Sequence, residues 1–97
     1  MKRTGFLMIK LKKFKKAENI YEELSKSDPK NEILFYRLAC AKIELKQIST
    51  AKEILFQTIK NSKVSGNLKV EALSRQELIK ISILENQENY KIAQKLY

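Results

Sequence analysis

The sequence predicts an all-α fold in which antiparallel helical hairpins stack as a short solenoid of about five to six helices. Three observations lead there. The first is a scarcity of breakers: among 97 residues there is one proline, Pro29, and there are two glycines, Gly5 and Gly66. A sheet protein needs many tight turns, and those residues make them. The second is a recurring spacing, a large apolar residue, Ala three later, and a large residue four after that. It occurs as Phe14-Ala17-Tyr21, as Ile48-Ala51-Leu55 and as Tyr90-Ala93-Tyr97. Residues three and four apart share one face of a helix, and a small residue between two large ones lets a neighbouring helix approach closely. The third is internal similarity. A shift of 34 residues aligns 1–31 with 35–65 and makes seven pairs identical, among them Arg3/Arg37, Ile9/Ile43, Ala17/Ala51 and Ile20/Ile54. A fixed period of that size is the signature of stacked supersecondary units.

Each element follows from local signals. Helix one spans about Lys2 to Leu11 or Lys12, and helix two spans Lys15 to Ser27. Asp28-Pro29 closes the latter, because the residue before proline is pushed out of the helical region. Helix three runs from Glu32 to Leu45, with Phe35, Leu38, Ala39 and Ile43 at helical spacing. Helix four runs from Thr50 to about Asn61, with Ser49 as its N-cap. The stretch NSKVSGN, 61–67, is read as a loop. Helix five covers about Leu68 to Glu85, and helix six begins near Asn89 and continues to Tyr97. The whole is one domain: repeat one at about 1–31, repeat two at about 32–62, and a degenerate, truncated third at about 68–97.

Composition narrows the function. There is no histidine, which removes the usual general base and the commonest metal ligand. Cys40 is the single cysteine, so no intrachain disulfide forms, and its alanine neighbours mark it as a small buried residue. No Gly-rich phosphate cradle occurs. Glu22-Glu23 is a carboxylate pair, but adjacent helical residues point in different directions. The expectation is a protein that is not an enzyme and takes no cofactor or metal. No apolar run reaches membrane-span length, and Gly5–Ile9 is too short for a secretory signal, so a cytoplasmic location is expected.

The formal charge is +9, from seventeen Lys and three Arg against eleven acids. Residues 1–16 carry +7 of it with no acid. Such an end suits an acidic protein partner, nucleic acid or an anionic surface, or reflects solubility and a lysine-rich coding bias alone. Arginine, which reads guanine bidentately, is scarce, and no tract interleaves aromatics with arginines. Lys12, Lys13, Lys15 and Lys16 fall at the expected turn between helices one and two, on an edge where lysines are ordinarily solvated.

In its repeating residues the chain resembles the tetratricopeptide repeat (TPR) family. That motif places a bulky residue, a leucine and a small residue in a first helix, Ala-x-x-x-aromatic in the second and proline at the close. Repeat one has Met1, Thr4-Gly5 and Met8, then Ala17-x-x-x-Tyr21 and Pro29. Repeat two has Phe35, Leu38-Ala39 and Lys42, then Ala51-x-x-x-Leu55, with Lys63 in place of the proline. Repeat three keeps Tyr90, Ala93 and Tyr97, but Ala51 to Ala93 is 42 residues, and its first-helix register stays open around Leu78, Ile81 and Ser82.

The resemblance implies a right-handed superhelix whose first helices line a concave groove for a partner peptide. Carried over by motif, the groove residues would be Lys2, Arg3, Phe6, Ile9 and Lys10 in repeat one. In repeat two they would be Ile33, Tyr36, Arg37, Cys40, Ile43 and Glu44. Repeat three would add Arg75, Leu78, Ile79 and Ser82. The chaperone-tail subclass needs Asn four residues after the first-helix lysine; Phe6 stands there after Lys2, so that specificity is not expected. The expected partner is a protein segment with apolar anchors and acidic character, and the chain a scaffold or adaptor. The alternative is a basic helical protein associating with nucleic acid or ribonucleoprotein. Solenoid ends need a polar outer face. The abrupt start and end therefore suggest a fragment of a longer array, a truncated reading frame, or a module that pairs with another chain.

Overall fold

In a computed structural model the backbone of residues 2–96 and the side chains of residues 11–87 are described. Four helices make up the described chain: α1 (Lys2–Ser27), α2 (Glu32–Glu44), α3 (Ile48–Ser65) and α4 (Leu68–Leu96). No strand occurs among the described residues. Among the described residues no helix is long and apolar enough to cross a membrane.

The expected helices one and two are a single helix, α1, and the expected helices five and six are a single helix, α4. The reason is local. The two segments where turns were expected, KLKKFKK around Lys12 and ENQEN around Gln87, contain no glycine or proline. Lysine, glutamate and glutamine are good helix formers, so the intrahelical bonds simply continue. Among the described residues the helix count is therefore four, not five to six. The turns that exist are those with chemistry to make them. Asp28-Pro29 ends α1 at Ser27, and the Asn31 amide donates to the Asp28 carbonyl across the turn. After α2, Lys46 takes the left-handed conformation (φ 66°), and the Lys46 and Gln47 amides donate to the carbonyls of Ile43 and Lys42. This closes α2 and opens α3 at Ile48, with Gln47 rather than Ser49 at the cap position.

The 61–67 loop shrinks to two residues. α3 continues to Ser65, Gly66 adopts φ +79°, and the Asn67 amide bonds to the Ser62 carbonyl. Asn67 then caps α4, its Oδ1 accepting from the Val70 amide at 3.2 Å. Asn61 and Ser62, which look like loop formers, are carried in the last turns of α3.

Each helix packs antiparallel on the one before it, and α2 also touches α4 across α3. The core lies where these three meet. Ala39, Leu55 and Ile81 come one from each helix and form its centre, with Tyr36, Ile43, Ile48, Ile54 and Leu78 packed around them. Ala39 and Ala51 are fully buried, as close helix approach requires. The α3–α4 crossing is lined with small residues for the same reason: Thr58, Ser62 and Ser74 are all buried there. Ser65 ties the end of α3 to the start of α2, its hydroxyl donating to Glu32 Oε1 at 2.6 Å.

An ion cluster joins α1 to α2. Lys42 Nζ donates to Glu18 Oε2 at 3.0 Å, to Glu22 Oε1 at 3.1 Å and to Gln47 Oε1 at 3.4 Å. Lys15 holds the other Glu18 oxygen at 2.7 Å. Lys42 is 7% exposed and Glu18 2%. Three donors meet three acceptors, so the ammonium is satisfied inside the fold.

Of the residues expected to pack between repeats, Leu38, Ala39, Ala51 and Leu55 are buried, Ile48 lies against the core, and Phe35 is half-buried. Pro29 sits exposed in its turn. Phe14, Ala17 and Tyr21 are half-buried and face a cleft rather than the core. Gly5, Tyr90, Ala93 and Tyr97 lie outside the described side chains.

Candidate functional site

The short turns fix the relative level of the helices. Glu18 pairs with Lys42 and Tyr21 contacts Arg37, so the end of α2 reaches only about halfway along α1. Lys52 of α3 pairs with Glu85 of α4, so the last turns of α4 pass the start of α3. α1 (26 residues) and α4 (29 residues) therefore both overrun α2 (13 residues) at the end where the α2–α3 turn lies.

Between them they wall a cleft of about 550 Å³ with α2 as its floor. From α1 come Phe14, Ala17 and Tyr21, at the spacing that first marked this helix. α2 contributes Arg37, Cys40, Ala41, Ile43 and Glu44, and α4 contributes Glu77, Lys80, Ile81 and Leu84. The interior is mainly apolar. Charge sits at the rim, and it is mixed: Arg37 and Lys80 are cationic, Glu44 and Glu77 anionic. Lys80 Nζ reaches Glu77 Oε1 at 3.3 Å, and the Arg37 guanidinium makes a long contact, 3.5 Å, to the Tyr21 hydroxyl.

Burial, and then the hydrogen bond with Cys40, push the Tyr36 phenol up to about 12. Burial also pushes the Cys40 thiol up, so it stays protonated and is a poor nucleophile. Arg37 is raised further by its contact with the Tyr21 hydroxyl. Among the described residues no three His, Cys, Asp or Glu side chains converge as a metal site. The cleft has shape, apolar area and rim charge. Those are the properties of a binding surface.

The expected groove residues divide. Arg37, Cys40, Ile43 and Glu44 line the cleft. Tyr36 turns to the core instead, and Ile33 is half-buried outside the cleft. Lys2, Arg3, Phe6, Ile9 and Lys10 lie outside the described side chains. In α4, Arg75 is exposed and pairs with Glu71, Leu78 packs on the core, and Ile79 and Ser82 face the opposite side of the helix. The α4 residues that do line the cleft, Glu77, Lys80, Ile81 and Leu84, follow a clean i, i+3, i+4, i+7 spacing. That spacing was in the sequence, but the open register of the third repeat left the face of α4 unassigned. Phe14, Ala17 and Tyr21 were read as packing residues. They line a wall because, among the described residues, no helix covers that face of α1.

No family model, curated protein or solved structure matches this chain.

Proposed function

We propose that the chain is a non-catalytic protein–protein interaction module, a short right-handed TPR-like solenoid serving as a scaffold or adaptor. A partner segment binds in the cleft between α1, α2 and α4. The observation that carries this reading is the cleft itself, an apolar trough with a charged rim and no polar group poised for chemistry. The stepwise packing of α1 to α4 and the 34-residue recurrence support the repeat assignment. An amphipathic segment fits best, with apolar anchors against Phe14, Ile81 and Leu84 and acidic groups toward Arg37 and Lys80. A cytoplasmic site of action belongs to the same reading.

A second reading rests on Lys12, Lys13 and Lys16, which are exposed on α1. Lysines so placed suit a phosphate backbone and would make the chain a nucleic-acid-associated protein.

Capture from host lysate near physiological salt, with and without nuclease, separates the two. A defined partner that survives nuclease, and whose capture falls about tenfold or more in Arg37→Glu and in Leu84→Glu, supports the cleft. Both side chains are exposed, so neither change disturbs the core. Capture that is lost on nuclease treatment, or is indifferent to both substitutions, overturns the cleft reading.

A further inference from the structure

On the far side of α4 from the cleft lies a second apolar surface, a slot of about 370 Å³ between α3 and α4. Phe56 (62% exposed), Ile79 (59%) and Ile83 (52%) form its apolar wall, and Lys52 and Asn86 its edge. Three large apolar side chains more than half exposed in one concavity make a surface that a folded chain ordinarily covers.

The sequence carries a segment suited to cover it. The spacing Ile48-Ala51-Leu55 belongs to a helix that docks: Ala51 and Leu55 are fully buried and Ile48 packs on the core. The same spacing returns as Tyr90-Ala93-Tyr97. If α4 broke near Gln87, that segment would fold back over α3 and α4, as each earlier helix folds over its predecessor. It does not break. The junction ENQEN has neither glycine nor proline, and α4 runs on to Leu96. A continuous helix cannot cover its own flank. The slot and its cover are thus carried by one chain that cannot join them, and a second copy supplies what each lacks.

We propose that this chain forms a symmetric dimer by reciprocal exchange, in which the 89–97 segment of each copy lies in the α3–α4 slot of the other. Exchange of one element in both directions closes a two-fold assembly and leaves no unsatisfied copy of either surface. Lys52 at the slot edge is paired within the chain to Glu85, so the surface offered to the second copy is the apolar wall. The cleft on the opposite side of α4 stays open in the dimer, so the exchange does not depend on the cleft's occupant.

The test uses the full chain, with mass measured by light scattering and sedimentation over a concentration series. The wild type is expected to be dimeric. Ile83→Glu, which charges the slot, and Ala93→Glu, which charges the exchanged segment, are each expected to weaken the dimer about 30-fold or more. Leu84→Glu, on the cleft side, is expected to leave it intact. Circular dichroism on every variant checks that helicity is kept. A wild type that stays monomeric overturns the proposal. So does a dimer indifferent to Ile83→Glu, or one that Ile83→Glu breaks and Ala93→Glu does not. None of these outcomes bears on partner capture by the cleft, which is read separately with Arg37→Glu.

Discussion

Replacing Lys42 with methionine is the sharpest test of how this fold is held together. Methionine keeps most of the aliphatic stem and volume, so packing changes little. What is lost is the ammonium that bonds Glu18, Glu22 and Gln47. Glu18, 2% exposed, would keep only Lys15, whose side chain is largely in solvent. Removing one member of a buried ion pair typically costs about 3–5 kcal/mol, because the other charge is left uncompensated. Lys15 relieves part of that, so the expected loss is about 2–4 kcal/mol. Against a total stability of about 5–15 kcal/mol this is a large fraction. At this chain length it lowers Tm by roughly 10–25 °C. The companion Glu18→Gln/Lys42→Met removes both charges and should recover most of the loss, to within about 1–2 kcal/mol of wild type. Urea unfolding of the wild type, both single variants and the double variant, followed by circular dichroism, gives the coupling directly. A Lys42→Met protein within about 0.5 kcal/mol of wild type would refute the reasoning, since the cluster would then be solvated in solution.

Four further outcomes follow from the same structure. The bond from Lys15 holds the Glu18 carboxyl below its ordinary 4.5 against the opposing effect of burial, and the bond from Ser65 does the same for Glu32. A depressed folded value stabilises the fold above pH 4.5 and loses that contribution as pH falls through it; Glu18→Gln should therefore flatten the acid limb of a stability–pH profile. Leu55→Ala, at a fully buried site in the centre of the core, should cost about 2–5 kcal/mol in urea unfolding. Gly66→Ala should cost about 1 kcal/mol, and from backbone conformation alone: φ is +79° and an added Cβ meets nothing within 4 Å. Ser74→Ala should be neutral or stabilise by up to about 1 kcal/mol, measured the same way, because the buried Ser74 hydroxyl has no hydrogen-bond partner among the described residues.

The sequence by itself determined the helical class, the turn at Asp28-Pro29, the span of α2 to within a residue and the burial of Leu38, Ala39, Ala51 and Leu55. These were legible because they rest on short-range rules: helical spacing, the clash before proline, and the demand for small residues where helices meet. Cys40, Arg37, Ile43 and Glu44 were grouped in a groove only by the resemblance to TPR proteins, and they line one cleft. Where a turn lacked a breaker, sequence reasoning supplied one by periodicity, and at Lys12 and Gln87 that was mistaken. A repeat period says how units would stack; the backbone at each junction obeys its own residues.

Only the tertiary structure decided which of two helical faces is covered. Tyr36 and Arg37 are neighbours in sequence, yet one enters the core and the other the cleft, and that depends on where α4 crosses α2. Phe14-Ala17-Tyr21 and Ile48-Ala51-Leu55 have the same spacing and different surroundings, a cleft wall and a helix interface. Lys42 and Glu18, 24 residues apart, look like two solvated charges until α1 lies on α2. The physical reason is common to all three. Local chemistry sets which residues share a face of a helix, but burial is a property of the neighbour that meets that face, and long-range packing chooses the neighbour.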